Sequence, residues 1–199
     1  MSDALLSRRS IRAFEQRPVE QGLLEQILEA AGLAPSAANL QPTRVLVVDA
    51  PASLGVVRSA AYGIGAVAAA PLVLVCMVDL AADEWVGDRV AELQQVGALE
   101  PIDPTLLTSG AGRPFALKLG ERTAVMNGAI AAAYMDLRAV ELGLGTCWVH
   151  HADFDQIREH FGVPDSFLIL TLLAVGHPAE DPALRPRDAG VRWIPSRRG

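Results

Sequence analysis

Cysteine is scarce in this chain, which has two among 199 residues. Cys76 and Cys147 lie far apart, and neither belongs to the paired Cys or Cys–His spacings of metal sites and disulfide scaffolds. We therefore expect no bound metal and no disulfide framework. Cys76 lies within an apolar run, which favours a buried thiol without a chemical role.

Positive charge is also in short supply. Lys and Arg number 17 against 23 Asp and Glu, which gives a formal net charge of −6. Such a chain lacks the general basic surface that nucleic acids require, so we expect no nucleic-acid partner. Any local cluster of arginines becomes more informative against this background, because its ligand would be a small and specific anion.

Hydrophobic runs long enough to cross a bilayer are missing. The apolar run at 71–78 is too short. The longer apolar segment at 123–142 is interrupted by four polar or charged residues, Asn127, Asp136, Arg138 and Glu141. The chain also does not open with the basic stretch and apolar core of a secretory leader. We expect no membrane partner and a cytoplasmic location.

A dinucleotide-binding fingerprint is absent as well. The first predicted strand is not followed by G-x-G-x-x-G, and Gly143-Leu144-Gly145 lies after a helix and before a strand, the reverse of the fingerprint order. Internal repeats, low-complexity tracts and a linker between domains are lacking too. With 51% hydrophobic residues, the chain is long enough to form one domain with a real core, spanning 1–199.

Hydrophobic periodicity predicts helices and strands in mixed order. Residues 19–31 have the apolar spacing of an amphipathic helix, and 116–142 form an alanine-rich helix that we place inside the fold. Apolar and β-branched runs predict strands at 44–49, 72–79, 146–150 and 167–175. The piece at 97–115 is rich in Pro and Gly and is interpreted as a loop, and the tail at 177–199 cannot pack alone.

An arginine cluster near the N-terminus is the first candidate site. Arg8, Arg9, Ser10 and Arg12 fall within five residues. The planar guanidinium group matches phosphate and carboxylate oxygens and stays charged at any working pH. The residues alone leave two interpretations open: an anion site, or the exposed end of a first helix with Ser10 as a cap.

The second candidate is the stretch APSAANLQP at 34–42. Two prolines bracket small residues together with Asn39 and Gln41, whose amides both donate and accept hydrogen bonds. Such a loop could bring backbone N–H groups and amides close to a planar ligand with many acceptors. An ordinary connection between a helix and a strand is the alternative.

Four motifs in order carry a resemblance to a known family. They are RRSIRAF at 8–14, APSAANLQPTR at 34–44, GLGTCW at 143–148 and LAVGHPAEDPALRPR at 173–187. Together they resemble the FMN-dependent nitroreductase family over nearly the whole chain. The resemblance implies an α+β fold, in which helices surround a mostly antiparallel sheet. It also implies a homodimer with two FMN sites at the interface, and a C-terminal arm at 177–199 that reaches the partner subunit.

The resemblance also implies a set of FMN-binding residues. From one subunit these are Arg8, Arg9, Ser10, Arg12, Gly145, Arg185 and Arg187, with the last two at the phosphate. From the other subunit they are Pro35, Ser36, Ala37, Asn39 and Gln41. A cationic group beside the flavin ring would stabilise its reduced, anionic form.

His150 and His151 depart from the family pattern, in which a small residue often follows this strand. A backbone N–H could still approach the flavin here, so both positions are predicted to lie at the cofactor. Their imidazoles could narrow the pocket or supply a proton near neutral pH. The alternative, that they cap the strand end and touch solvent, is slightly favoured.

The resemblance implies an oxidoreductase in which the flavin carries the chemistry. NADH or NADPH would reduce FMN, and a nitroaromatic, quinone or similar electron-poor acceptor would then take the hydride by a ping-pong mechanism. No side-chain nucleophile is required, and the sequence offers no convincing Ser-His-Asp or Cys-His arrangement. The alternatives are a family branch that oxidises a biosynthetic intermediate or consumes flavin, and a flavin-binding protein without turnover.

Overall fold

A four-stranded antiparallel sheet forms the centre of the protein, in a computed structural model that describes residues 3–99 and 120–186. Its strands are β1 (Thr43–Val48), β2 (Leu72–Asp79), β3 (Gly145–Val149) and β4 (Phe167–Gly176), in the spatial order β1-β2-β4-β3. All eight residues of β2 are buried. The continuous apolar run at 72–79 therefore marks a strand covered on both faces, as the sequence predicts.

Helices cover both faces of this sheet. They are α1 (Ala4–Ser7), α2 (Gln21–Gly32), α3 (Pro51–Ala60), α4 (Gly65–Ala69), α5 (Val86–Gln95), α6 (Gly120–Glu141) and α7 (Phe154–Phe161), with 3₁₀ turns at Ala37–Asn39 and Leu80–Trp85. The predicted helices at 19–31 and 116–142 correspond to α2 and α6, and the predicted α+β fold is confirmed. The predicted loop at 97–115 lies almost entirely outside the described residues.

Successive residues of each strand point to opposite faces, so the sheet separates two cores. Val73 and Val75 face a cluster that includes Val57 of α3 and Ile157 of α7. Leu72, Leu74 and Cys76 face the other cluster, which α2 and α6 close with Ile27, Ala132 and Met135. Strand β2 thus contributes alternate side chains to the two cores, one set on each side of the sheet.

Helix α6 approaches the sheet closely at Gly128. A Cβ at this position would lie 2.4 Å from Leu170 Cδ1 and 2.4 Å from Val78 Cγ1. Because glycine has no side chain, the helix backbone can pack directly against β2 and β4. The small residues of the helix therefore serve close packing, as its composition indicates.

The two ends of the described chain meet at the edge of the sheet. Ile11 N donates to Thr146 O at 2.8 Å, which places the N-terminal segment beside β3. Glu15 N donates to His177 O at 2.9 Å, and Ala179 N to Ala13 O at 3.0 Å. The segment that follows β4 is thereby paired with the segment that follows the arginine cluster.

Helix α6 is the longest of the described helices, and charged side chains interrupt its apolar sequence. No helix within residues 3–99 and 120–186 is long and apolar enough to cross a bilayer.

Candidate functional site

A small cationic pocket lies where the chain ends meet. Its cavity measures about 80 Å³ and is lined from the N-terminal side by Arg8, Arg9, Ser10 and Arg12. The C-terminal segment lines the other side with residues 182–185, including Arg185. Four arginines and a serine thus line one space, and these residue types are a suitable donor set for a phosphate-sized anion. We call it the arginine pocket.

Local hydrogen bonds fix the arginines on the N-terminal side. Arg9 Nη1 donates to Leu6 O at 2.7 Å and to Arg8 O at 2.9 Å, which satisfies a carbonyl at the end of α1. Arg12 Nη1 donates to Ser10 O at 3.0 Å. Each bond occupies one terminal nitrogen of its guanidinium group, so further N–H donors remain on both side chains for a ligand.

Glu180 clamps the C-terminal segment beside the pocket. Its Oε1 accepts from the backbone N–H of Arg12 and from that of Ala13, the latter at 3.1 Å. These two backbone hydrogen bonds lower the pKa of Glu180, with a smaller contribution from the charge of Arg12. The carboxylate is therefore ionised at neutral pH, and it holds the segment that carries Arg185.

Arg8 is held from behind by a buried carboxylate. Its Nε donates to Asp136 Oδ2 at 2.8 Å, and the Asp136 side chain is only 5% exposed. Asp136 also accepts from Trp148 Nε1 at 2.8 Å and from the hydroxyl of Thr146. Three donors, one from the N-terminal segment and two from β3, therefore converge on one carboxylate of α6, in agreement with the rule that buried charges are paired.

The two cysteines lie buried and apart. Burial raises the pKa of Cys76 to about 12, so this thiol is protonated at neutral pH. Burial also raises the pKa of Cys147, while the charges of Arg12, Arg8 and Arg185 act in the opposite direction. The positive charges of the arginine pocket therefore act on a thiol of strand β3, although burial has the larger effect on its pKa. Within residues 3–99 and 120–186, no three His, Cys, Asp or Glu side chains come together as a metal site requires.

The second motif forms a strained loop at 36–41. Ala38, Asn39 and Gln41 have φ angles of 48°, 51° and 48°. Positive φ angles are unfavourable for residues with a side chain, so the surrounding contacts must impose this conformation. Backbone strain of this kind is often found at binding sites.

Several contacts hold the loop in place. Ala37 N donates to the side-chain oxygen of Asn127 on α6 at 3.3 Å, and Gln41 N donates to Ser36 Oγ at 3.0 Å. The Gln41 amide donates to Gly32 O at 2.8 Å and accepts from Arg89 at 3.1 Å. Gln41, Pro35 and Asn39 are all exposed, but the Gln41 amide is already engaged within the chain.

The loop and the arginine pocket contact α6 on different faces. Asn127 holds the loop and Asp136 holds Arg8. Nine residues of α-helix correspond to two and a half turns and about 13.5 Å of rise, so these two side chains leave opposite sides of the helix. The two motifs of one chain are therefore anchored at well-separated points of α6.

His150 and His151 lie exposed after β3. The ring of His150 lies 6.0 Å from that of Phe154, and the ring of His151 lies 5.0 Å from that of Tyr62. His150 also lines an apolar cavity of about 570 Å³ together with Trp148 and residues of α6 and β4. The two rings diverge, as expected for neighbours at a strand end.

The structure brings together only part of the predicted site. Arg8, Arg9, Ser10, Arg12 and Arg185 surround one pocket, while Arg187 lies outside the described residues. Gly145 allows a close approach: a Cβ there would lie 2.8 Å from Ile11 Cγ1, so the glycine lets the N-terminal segment pack against β3. The loop at 36–41 and the two histidines lie elsewhere on the same chain.

Sequence reasoning missed three residues that hold the candidate site in place: Asn127, Asp136 and Glu180. Asn127 and Asp136 are buried polar residues in an otherwise apolar helix. That pattern was visible in the sequence and could have marked both as anchors, since buried polar side chains need partners. Glu180 offers no comparable signal, because its role depends on a contact with Arg12 across 168 residues.

Comparisons with known proteins identify the family of this chain. The family model described as "Nitroreductase family" matches residues 5–177. An NADH dehydrogenase of Thermus thermophilus is 38% identical over 96% of this chain and 94% of its own length. YodC of Bacillus subtilis, assigned as an NAD(P)H nitroreductase, is 26% identical over 96% and 98%.

A solved structure shares the fold. A protein of Exiguobacterium sibiricum, assigned as a nitroreductase and crystallised in complex with FMN, superposes with a TM-score of 0.77 at 23% identity. The match covers 93% of this chain and 91% of that protein.

Proposed function

Because the chain belongs to the nitroreductase family, whose model matches residues 5–177, we propose that it is an FMN-dependent oxidoreductase that uses NADH or NADPH. When bound, FMN would accept a hydride from the nicotinamide and pass it to an electron-poor acceptor such as a nitroaromatic compound or a quinone. The observation that carries this proposal is the arginine pocket.

The arginine pocket fits the phosphate of FMN. Arg8, Arg9, Arg12 and Arg185 would hold the phosphate oxygens through charge-assisted hydrogen bonds, and Ser10 would add a hydroxyl donor. The chain is acidic overall, so this local concentration of positive charge is unlike the rest of the protein. Arg187 is proposed at the same phosphate on the strength of the sequence motif alone.

The apolar cavity beside Trp148 fits a flat aromatic group. Its volume of about 570 Å³ lies within the range of ligand pockets, and its lining is mostly aliphatic and aromatic. Exclusion of water by such walls would favour hydride transfer over side reactions. His150 at the rim would contact the flavin or the acceptor, while His151 would lie outside the cavity with Tyr62.

A homodimer is part of the proposal, because the two motifs of one chain lie on opposite faces of α6. The loop residues Pro35, Ser36, Ala37, Asn39 and Gln41 would therefore meet the flavin held by the arginines of the partner subunit. The whole chain would act as a single domain. Residues 177–180 pair with the N-terminal segment of their own chain, and residues 182–185 line the arginine pocket. An arm toward the partner subunit would therefore begin beyond Arg185.

The visible spectrum of the purified protein tests this function. We expect a yellow protein, or a colourless one that becomes yellow with added FMN, and we expect NADH or NADPH to bleach it under anaerobic conditions. Titration with each nucleotide in turn would identify the reductant. Addition of a quinone or a nitroaromatic compound should then restore the colour.

Two results would reject the proposal in part or in full. A protein that remains colourless with excess FMN is not a flavoprotein. A protein that binds FMN but is reduced by neither nucleotide would be the specialised branch or the flavin carrier instead. Arg138→Ala is a suitable control for general charge effects, because Arg138 pairs with Glu141 and Gln26 away from the pocket.

A further inference from the structure

We propose that Asp136 is a positioning residue, which aims Arg8 at the phosphate and joins the arginine pocket to the apolar cavity. The inference rests on the proposed function for the identity of the ligand. Asp136 itself does not line either cavity. It acts through the two side chains that do, Arg8 and Trp148.

The geometry around Asp136 leaves Arg8 with a defined direction. The carboxylate takes up only Nε of the guanidinium group. The two terminal nitrogens of Arg8 have no hydrogen-bond partner among the described residues, and Arg8 lines the pocket. A guanidinium group anchored at Nε presents these terminal N–H groups as a planar pair, which is the arrangement that grips two oxygens of one phosphate.

A single oxygen connects the two cavities. Asp136 Oδ2 accepts from Arg8 in the arginine pocket and from Trp148 Nε1, each at 2.8 Å. Trp148 lines the apolar cavity. The indole plane and the guanidinium plane are therefore fixed relative to one another, so the carboxylate would set the spacing between the phosphate end and the ring end of a bound flavin.

The Asp136 carboxylate is an acceptor for three donors. Arg8 and Trp148 donate to Oδ2, and the Thr146 hydroxyl donates to Oδ1. An asparagine can keep its oxygen for Arg8 and Trp148 and turn its NH₂ group toward the Thr146 hydroxyl, which is also able to accept. Asp136→Asn therefore keeps the partner of Trp148 and removes the negative charge that holds the Arg8 guanidinium group, with almost no change in volume.

A double-mutant cycle tests the proposal. The dissociation constants of FMN and riboflavin are measured for the wild type, Asp136→Asn, Arg8→Ala and the double variant. We expect Asp136→Asn to weaken FMN at least about tenfold and to leave riboflavin, which has no phosphate, within about twofold. In the Arg8→Ala background the same substitution should have almost no further effect on FMN.

Any of three outcomes of this cycle would overturn the proposal. The first is an Asp136→Asn variant that binds FMN as tightly as the wild type. The second is an effect of equal size in the presence and absence of Arg8, because Asp136 would then act independently of it. The third is a parallel loss of affinity for FMN and riboflavin, since that pattern indicates a general disturbance of the cavity.

A second pair of variants covers the case in which Asp136→Asn does not fold. Thr146→Val removes the hydroxyl donor to Asp136, whereas Thr146→Ser keeps it. We expect the valine variant to weaken FMN relative to riboflavin and the serine variant to retain wild-type selectivity. Equal behaviour of the two variants would overturn the role assigned to the carboxylate.

Inorganic phosphate separates this inference from the proposed function. A wild-type protein that binds phosphate but no flavin would reject the proposed function. The comparison of wild type with Asp136→Asn, made by phosphate titration, would then decide the role of Asp136 on its own. We expect weaker phosphate binding in the variant, and unchanged binding would overturn the inference.

Discussion

Arg185 reaches the arginine pocket from the opposite end of the sequence from the other three guanidinium groups. Its position depends on Glu180, which accepts two backbone N–H groups of the N-terminal segment. The proposed anion site is therefore assembled by a carboxylate of opposite charge placed five residues away. At the scale of single residues, anion binding would be the task of the arginines, whereas Glu180 holds the C-terminal segment in place.

Arg185→Ala should weaken FMN binding about tenfold or more, because hydrogen bonds between charged groups contribute about 1.5–3 kcal/mol. Riboflavin binding should be unchanged, since it lacks the phosphate. Fluorescence titration with both flavins measures this difference. Arg138→Ala, which removes a cation elsewhere, should leave both affinities unchanged; equal losses in both arginine variants would indicate a general charge effect.

Glu180→Gln should lower the melting temperature at pH 7 but not at low pH. The pKa of Glu180 is lowered in the folded state, so its stabilising effect is present above the unfolded pKa of about 4.3 and is lost as pH falls through the lower folded value. Thermal unfolding between pH 7 and pH 3 should show the two curves converging.

Glu159 provides the matched control for this pH dependence. It is an exposed glutamate on α7, so Glu159→Gln should follow the wild type at every pH. If the melting temperature of Glu180→Gln differs from that of the wild type by the same amount at pH 3 and pH 7, the stabilising role of the ionised Glu180 carboxylate is contradicted.

At the scale of elements, α6 carries the arrangement of the site. Its small residues bring the helix against the sheet, and its two buried polar residues hold Arg8 on one side and the loop at 36–41 on the other. The helix is thus a spacer as well as a core element. Its position relative to β2 and β4 determines where both motifs lie.

Gly128→Ala should destabilise the protein by about 1–3 kcal/mol, because the new Cβ would overlap Leu170 and Val78. Urea denaturation measures the change. Gly55→Ala is the matched control: Gly55 lies within α3 with nothing within 4 Å of the added Cβ. It should stabilise the protein by up to about 1 kcal/mol, and the same sign in both variants would contradict close packing at Gly128.

The elements themselves were largely predictable from local patterns. The continuous apolar run of β2 indicates a strand buried on both faces, and the spacing of Leu24 and Ile27 indicates the buried face of helix α2. Both signals lie within one short stretch of sequence. The site was predictable only in part. The arginine cluster is contiguous in sequence and could be found, whereas the contact between Asp136 and Arg8 spans 128 residues and has no local signature.

The loop at 36–41 shows a second reason for incomplete prediction. Pro35 and Pro42 indicate a turn, but the positive φ angles at Ala38, Asn39 and Gln41 are imposed by contacts with Asn127, Gly32 and Arg89. None of the three strained residues is glycine. Local propensity would therefore assign a different backbone conformation, which tertiary contacts override.

At the scale of the whole molecule, the proposed flavin site would require two chains. Arg8 and the loop lie on opposite sides of α6, so each proposed flavin would be shared between the arginines of one subunit and the loop of the other. This arrangement would make binding dependent on association. Sedimentation analysis of the protein should accordingly show a dimer, and a monomer with full flavin occupancy would contradict the shared site.

Hybrid dimers provide a direct test of sharing. A chain with Arg8→Ala and Arg12→Ala and a chain with Gln41→Ala should each bind FMN poorly alone. In the mixed dimer, one site would combine the intact arginines with the intact loop, so about half of the sites should regain wild-type affinity. No recovery in the purified hybrid would indicate that both motifs act within one chain.

The joining of the two chain ends has a consequence for biosynthesis. Arg12 meets Glu180 across 168 residues, and Arg185 lies later still. A growing chain on the ribosome therefore holds three of the arginines early but cannot enclose an anion until translation has passed residue 185. Cofactor loading would be one of the last events of maturation. Protein truncated before Glu180 should contain no FMN, even where its sheet has formed.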